Sequence, residues 1–390
     1  MIRDNATAIA AELMLEFARR TGLYPTSRNK QRYLWTDAFA VCNFLELFTR
    51  TGNELYRRCA MDLINQVHRV LGRYRADDYR HGWISGLGEE SGQRHPTVGG
   101  LRIGKPLKER EPGEPIDERL EWDRDGQYFH YLTKWMHALC RAAVISGHHA
   151  HAEAALELGE IAYRGFARKS ASGDVIGIYW KMSTDLSRPL TFAMGAHDAL
   201  DGLVTFREIQ NVISKMHAKT SDGDLTAAIA SISTLCRGRD WGTNDPLGIG
   251  GLLFDACRLS LLPQRNGDDR LLKKITDAFE NGVSTLLASQ LLTRHVSQRL
   301  AFRELGLAIG LKAIPTILEA SKYATQIGPK RLHLQYQSLA EEIISAWLPC
   351  AQSADELWQA HRDINDVMLA TALIPDMFLS VDEKRPLNTS

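Results

Sequence analysis

Segments that are apolar on every side below a polar first turn alternate along the chain with segments that carry a single apolar stripe. A helix hydrophobic all round must be enclosed by protein, whereas a helix with one stripe lies outside with its polar face in water. The enclosed candidates begin near Thr36 and Asp37 (Phe39, Phe44, Leu47), Gly126 (Tyr128, Leu132, Trp135, Leu139), Pro189 (Phe192, Ala196, Leu200), Pro246 (Leu247, Leu252, Phe254), Leu300 (Phe302, Leu305, Ile309) and Arg362 (Val367, Met368, Leu373). Two of them open on proline, which suits a first helical position because its missing N–H is not needed there. The single-stripe candidates show apolar residues at three- and four-residue spacing: Leu55, Cys59, Leu63, Val67, Val70; Ala155, Leu158, Ala162, Phe166; Leu225, Ile229, Ile232, Cys236; Ile275, Phe279, Leu286; and Leu332, Tyr336, Leu339, Ile343. The N-terminal stretch Ile9, Leu13, Phe17 is a sixth, and it can partner the sixth enclosed helix at the other end of the chain. The pattern predicts an all-α protein, an (α/α)6 toroid of six helical hairpins in two concentric rings with long rim loops. The polar first turns of the inner helices would line the mouth.

No low-complexity run, block of like charge or abrupt change of composition marks a boundary in the 390 residues, so residues 1–390 are expected to form a single domain. Lys plus Arg and Asp plus Glu both number 47, which leaves no net basic field to attract nucleic acid or an anionic membrane. Cys42, Cys59, Cys140, Cys236, Cys257 and Cys350 fall mostly at apolar helical positions without C-x-x-C spacing and suit small core residues. Glu12 and Glu16 interrupt the N-terminal apolar run, which therefore lacks the core of a signal peptide, and no run reaches the roughly 18 apolar residues of a membrane span. A soluble, reduced, cytoplasmic protein is expected, with its oligomeric state open. No H-x-x-x-H or H-E-x-x-H spacing occurs, and neither a metal nor a cofactor is expected.

Residues 75–125 form the least regular stretch, and in a double ring this connection must fold over the mouth. It contains Trp83, Arg102, Lys105 and a charged run through Trp122, Asp123 and Asp125. The order G-x-x-x-x-G-K-[ST] is absent, so its Gly-Lys pair is not a phosphate cradle; a lid carrying Arg102 and Lys105 toward a ligand is the alternative to a plain surface excursion. Trp35, Trp122 and Trp241 each stand just before an inner helix, and Trp83 and Trp180 lie in loops leading to the same rim. Aromatic faces beside carboxylates suit carbohydrate, because the C–H face of a pyranose stacks on a ring while its hydroxyls need charged acceptors and donors.

The carboxylates Asp37, Asp123, Asp125, Asp198, Asp245, Glu304, Asp363 and Asp366 lie in or just ahead of the first turns of inner helices. Asp37 and Asp245 also suit helix caps. Asp198 and Glu304 precede apolar turns, where a buried carboxylate requires a partner, expected from another inner helix because neighbours in sequence diverge by about 100°. His130 and His137 are expected to be satisfied core residues.

Five stretches carry a resemblance: Trp35-Thr-Asp-Ala-Phe-Ala40, Gly99-Gly-Leu-Arg-Ile-Gly-Lys-Pro-Leu107, Glu121-Trp-Asp-Arg-Asp-Gly-Gln-Tyr-Phe-His-Tyr-Leu132, Tyr179-Trp-Lys-Met-Ser-Thr-Asp-Leu-Ser-Arg-Pro-Leu190 and Asn244-Asp-Pro-Leu-Gly-Ile-Gly-Gly-Leu-Leu253. They look like those of a prokaryotic group of functionally unassigned proteins, and the whole plan resembles the six-hairpin glycosidase superfamily, which includes inverting glycoside hydrolases and the N-acylglucosamine 2-epimerase family. The likeness implies the toroid and a sugar-derived ligand without naming a reaction. His361 looks similar to one member of the epimerase histidine pair, while the helix from Asp245 onward offers no second.

Glycoside hydrolysis needs a carboxylic acid and a carboxylate base, roughly 6.5 to 9.5 Å apart in an inverting site. Asp125 and Asp37 are the expected pair, with Asp123, Asp198 and Glu304 as replacements. Trp35, Arg102, Lys105, Trp122, Tyr128, His197, Trp241, Asp245, Arg303 and His361 would bind substrate. Epimerisation through His197 and His361 and a non-catalytic sugar-binding toroid are the alternatives.

Overall fold

The structure is a computed structural model and describes residues 2–27, 31–216, 225–320, 330–353 and 355–379. Leu332, expected in the last outer stripe, lies outside the residues whose side chains are described.

The protein is all-α. Its main helices are α1 (Ile2–Arg20), α2 (Leu34–Thr51), α3 (Glu54–Leu71), α4 (Phe129–Ser146), α5 (His149–Phe166), α6 (Asp198–Met216), α7 (Thr226–Arg237), α8 (Pro246–Leu261), α9 (Asp268–Ala288), α10 (Ala301–Ala320), α11 (Lys330–Gln352) and α12 (Arg362–Leu373). Even-numbered helices are the enclosed ones and odd-numbered helices carry the single stripe. In α6 every residue from Asp198 to Ile209 is buried, whereas α9 buries a stripe through Leu272, Ile275, Phe279, Val283 and Leu286 and exposes most of its charged residues.

The chain divides into two compact units interleaved in sequence: residues 18–41 with 57–238, and residues 1–17 with 42–56 and 239–390. In the first, α4 packs against its hairpin partner α5 and against the next enclosed helix α6, which in turn holds α7. In the second, α8 packs on α9 and α10, and α10 on α11 and α12. Here Asn43 of α2 donates to the Val367 carbonyl (3.0 Å) and accepts from Thr371 of α12 (2.9 Å), which satisfies a buried amide in an apolar interior. Each unit therefore repeats one arrangement, with an enclosed helix packed on both its own partner and the next enclosed helix. All six cysteines are buried and free.

One expected helix start is wrong. The stretch from Pro189 does not open α6, which begins nine residues later at Asp198. Leu190 instead donates to the Lys181 carbonyl (2.9 Å) and Pro189 bridges to Met182, so the apolar residues there belong to a turn. Phe192, expected inside, is 70% exposed. This turn closes a second rim excursion, residues 167–197, in which β2 (Ala167–Lys169) pairs with β3 (Val175–Ile178). In the same excursion β4 (Lys181–Met182) pairs with β1 (Gln127–Tyr128) just ahead of α4. The first excursion carries the short helices Glu89–Arg94 and Glu118–Asp123. Trp83 is its core, 3% exposed, with the Arg73 guanidinium 4.4 Å from its ring centre.

Enclosed helices can approach closely only where side chains vanish. Gly250 of α8 meets Gly306 and Gly310 of α10 backbone to backbone, and a Cβ on Gly250 would stand 2.2 Å from the Gly306 carbonyl oxygen. Gly250→Ala is therefore expected to part the two helices at a cost of about 1–3 kcal/mol. The neighbouring Gly251, with open space around it, should gain up to about 1 kcal/mol on the same change because alanine is the better helix former. Urea denaturation midpoints of the two variants would check the opposite signs.

Candidate functional site

The rim around α4 is organised by a carboxylate that no water reaches. Asp125 is 0% exposed. Its oxygens accept from the Arg102 guanidinium and from the backbone N–H groups of Gly104 (3.0 Å) and Gly126 (3.1 Å), with the Arg75 guanidinium 3.7 Å away. Arg102 is equally occupied: its remaining nitrogens donate to the carbonyls of Arg73 (2.6 Å) and Val70 (2.8 Å), the latter in the last turn of α3. Gly104 can sit there because its φ of +91° and a 2.2 Å approach of the Arg32 carbonyl to any Cβ exclude other residues. A buried charge must be paired and hydrogen-bonded, and this pair satisfies that demand by tying the start, middle and end of the first excursion together.

The second excursion is fastened to the first by Lys181. Its ammonium, fully buried, donates to the carbonyls of Glu121 (2.7 Å) and Arg124 (2.8 Å) and pairs with the Glu121 carboxylate (2.9 Å). Burial lowers its pKa and the Glu121 carboxylate opposes that shift.

These two anchors hold a wall of aromatic rings at the N-terminal end of α4. Trp122, 54% exposed, meets Trp180 edge to face at 5.1 Å; Trp180 stacks on Tyr128 at 5.0 Å and 14°. The His130 ring lies nearly parallel to both, 5.6 Å from Tyr128 and 6.5 Å from Trp180. Tyr131 then packs edge-on against His130 (4.6 Å) and Tyr33 (5.5 Å), and the two tyrosine hydroxyls share a 2.6 Å hydrogen bond. Lys105 places its ammonium 5.3 Å from the Tyr33 ring centre. Burial raises the Tyr33 pKa and lowers that of Lys105. Burial, with the Lys134 charge, brings His130 down to about 4, so its ring is neutral at pH 7.

Two carboxylates stand beside members of the wall. Asp123, beside Trp122, is exposed and its side chain has no ion-pair or hydrogen-bond partner among the described residues. Asp198, in the first turn of α6, is buried; it accepts from the Gly195 N–H (2.9 Å) and lies 4.0 Å from His130 Nδ1. That nitrogen has no hydrogen-bond partner among the described residues.

The other sequence-expected residues are distributed as follows. In the unit that holds the wall, Asp37 is buried against Arg32 (3.3 Å) and accepts from the Tyr33 N–H (3.0 Å); Trp35 is 6% exposed and packs on Phe39; His197 is half-buried immediately before α6. In the other unit, Glu304 accepts from Nε and Nη2 of Arg299 and from the Trp347 indole (2.9 Å). Its partner thus comes from the preceding loop and from α11 instead of another inner helix. Arg303 pairs instead with Asp245 (2.5 Å), which caps α8 through the Gly248 N–H (2.9 Å). Trp241 is 1% exposed, and His361 is exposed at the N-terminus of α12 with its ring 6.2 Å from that of Phe302.

Sequence reasoning missed Tyr33, Tyr131, Lys181 and the Lys134–Asp201–Thr133 cluster (2.8 and 2.5 Å), and placed His130 in the core. For Tyr131 and His130 the available signal was the density of aromatic and basic residues in 128–135, ahead of the more apolar turns of α4. His137, by contrast, is a satisfied core residue, bonded to Glu208 at 2.8 Å. Among the described residues no group of three or more His, Cys, Asp or Glu side chains stands together as a metal site, and no helix is long and apolar enough to cross a membrane.

No family model matches the chain, and no curated protein matches it. Among solved structures it is similar to the cellobiose 2-epimerase of Spirochaeta thermophila, at 12% identity and a TM-score of 0.47, over 80% of this chain and 74% of that one.

The occupied oxygens of Asp125 generate a stability prediction. Asp125→Asn leaves the buried Arg102 guanidinium without its counter-charge and is expected to cost about 3–5 kcal/mol. Asp123→Asn, at an exposed and unpartnered side chain, should stay within about 0.5 kcal/mol of the parent. Thermal unfolding followed by circular dichroism checks the contrast.

Proposed function

We propose that the protein is a carbohydrate-active enzyme that seats a sugar on the wall where its rings reach solvent, Trp122, Trp180, His130, Tyr131 and Tyr33, and hydrolyses a glycosidic bond. The observation that carries this reading is a run of contacting aromatic rings with one carboxylate next to Trp122 and another 4.0 Å from His130. Apolar C–H faces of a pyranose gain from flat rings, and the flanking charged groups answer its hydroxyls. In this reading Asp123, open to solvent, gives the proton to the leaving oxygen. Asp198 accepts one from water. Asp125 and Asp37 act as holding residues in this reading, because their oxygens accept from Arg102, Arg32 and backbone N–H groups. Release of reducing sugar from a panel of neutral and acidic glycans tests it. Asp123→Asn and Asp198→Asn should each lower the rate by about 10² to 10⁴. Trp122→Ala should weaken binding by about twofold to tenfold. Unchanged rates in both carboxylate variants would reject hydrolysis.

A second reading, epimerisation, is favoured by the neutral His130 ring, whose Nδ1 has no hydrogen-bond partner among the described residues. An imidazole that removes a proton from carbon must be in its neutral form. An imidazole with an ordinary pKa loses half of that form near pH 6.5, whereas His130, lowered to about 4, keeps it. Exchange of substrate C–H hydrogen with solvent deuterium should therefore stay level from pH 8 to about pH 5 and fall only toward pH 4. His130→Asn should abolish it. Deuterium incorporation that halves near pH 6.5 would count against His130, and silence in both assays would favour a binding protein.

A further inference from the structure

Nearly every cation around the wall is paired with a carboxylate. Arg32 pairs with Asp37, Arg102 with Asp125, Arg110 with Glu121, Lys134 with Asp201 and Lys181 with Glu121. Lys105 differs. It is half-buried, yet no carboxylate lies within ion-pair distance of its ammonium among the described residues, and its recorded neighbour is the face of Tyr33. The nearby Asp125 is committed to Arg102 and two backbone N–H groups. Asp123 acts on Lys105 only at longer range and from an exposed position. A ring face offers a cation part of what a carboxylate would, and a half-desolvated ammonium retains donors for an anion. From Tyr33 the wall continues through Tyr131 to Tyr128 and His130, so a group meeting Lys105 belongs to a ligand lying on those rings.

We propose that Lys105 recognises an anionic substituent of the sugar, a carboxylate or a phosphate, and so selects acidic over neutral carbohydrate. The inference rests on the wall being a sugar site. The partly lowered pKa of Lys105, a consequence of burial, is the condition that an incoming anion would relieve.

Three probes share one ring: glucose, glucuronic acid and glucose 6-phosphate. Titration of tryptophan fluorescence at low salt gives the affinity of each for the parent, Lys105→Met and Lys105→Arg. The parent is expected to bind one or both acidic probes about tenfold tighter than glucose, the effect of one charge-assisted hydrogen bond. The acid that benefits tells carboxylate from phosphate. In Lys105→Met the ratio of acidic to neutral affinity should fall to about one, and in Lys105→Arg most of it should remain. An acidic preference that survives Lys105→Met, or no preference in the parent while glucose still binds in a manner sensitive to Trp122→Ala, overturns the assignment of Lys105 and leaves the sugar wall standing. No binding of any of the three probes overturns both.

Discussion

The candidate site depends on how one buried carboxylate is satisfied. Asp125 lies where no water compensates its charge, so the chain must bring donors to it, and those donors come from the middle and the end of a loop about fifty residues long. Arg102 reaches it only by laying its other nitrogens along the carbonyls that end α3, and Gly104 only by a backbone conformation that side chains resist. With these positions fixed, Lys105 comes to the face of Tyr33 and the strand pair β1–β4 brings Tyr128 under Trp180. Asp125, one of the two carboxylates expected from the sequence to exchange protons, thus has both oxygens engaged by the donors that hold this loop.

Helix periodicity made most of the architecture legible. The enclosed and striped segments recur as α1 to α12, and Pro246 does open α8 behind its Asp245 cap. Pro189 did not behave alike, although its local sequence reads the same way. What separated them was non-local: Pro189 faces Met182 across an isolated bridge, and the apolar residue after it pairs its backbone with Lys181. Propensity cannot see a partner that arrives from another segment. The two short strand pairs escaped notice for the same reason, being too brief to leave a period of two.

The site was less legible than the fold. Carboxylates near helix starts announced that they needed partners, but the partners were ordinary in sequence: Arg299 for Glu304, five residues ahead in a loop, and Arg303 for Asp245 across to another helix. Tryptophans ahead of inner helices shared one sequence position yet divided by environment, Trp122 open to solvent and Trp35 and Trp241 sealed in. Tyr33, Tyr131 and His130 carried no motif. They became a surface only once 98 residues of chain between the two tyrosines had folded back to bring their hydroxyls together.

That separation bears on the order in which the protein assembles. Lys181 meets the carbonyls of Glu121 and Arg124 across 60 and 57 residues, and Tyr33 meets Tyr131 across 98, whereas a helical turn closes over four. Long closures lose more chain entropy before any contact rewards them, and these need the helices at either end of each loop to be in place first. The 98-residue Tyr33–Tyr131 closure, longer than the 68 and 71 residues across which α4 and α6 meet through Thr133–Asp201 and His137–Glu208, is therefore the most costly of these contacts in chain entropy.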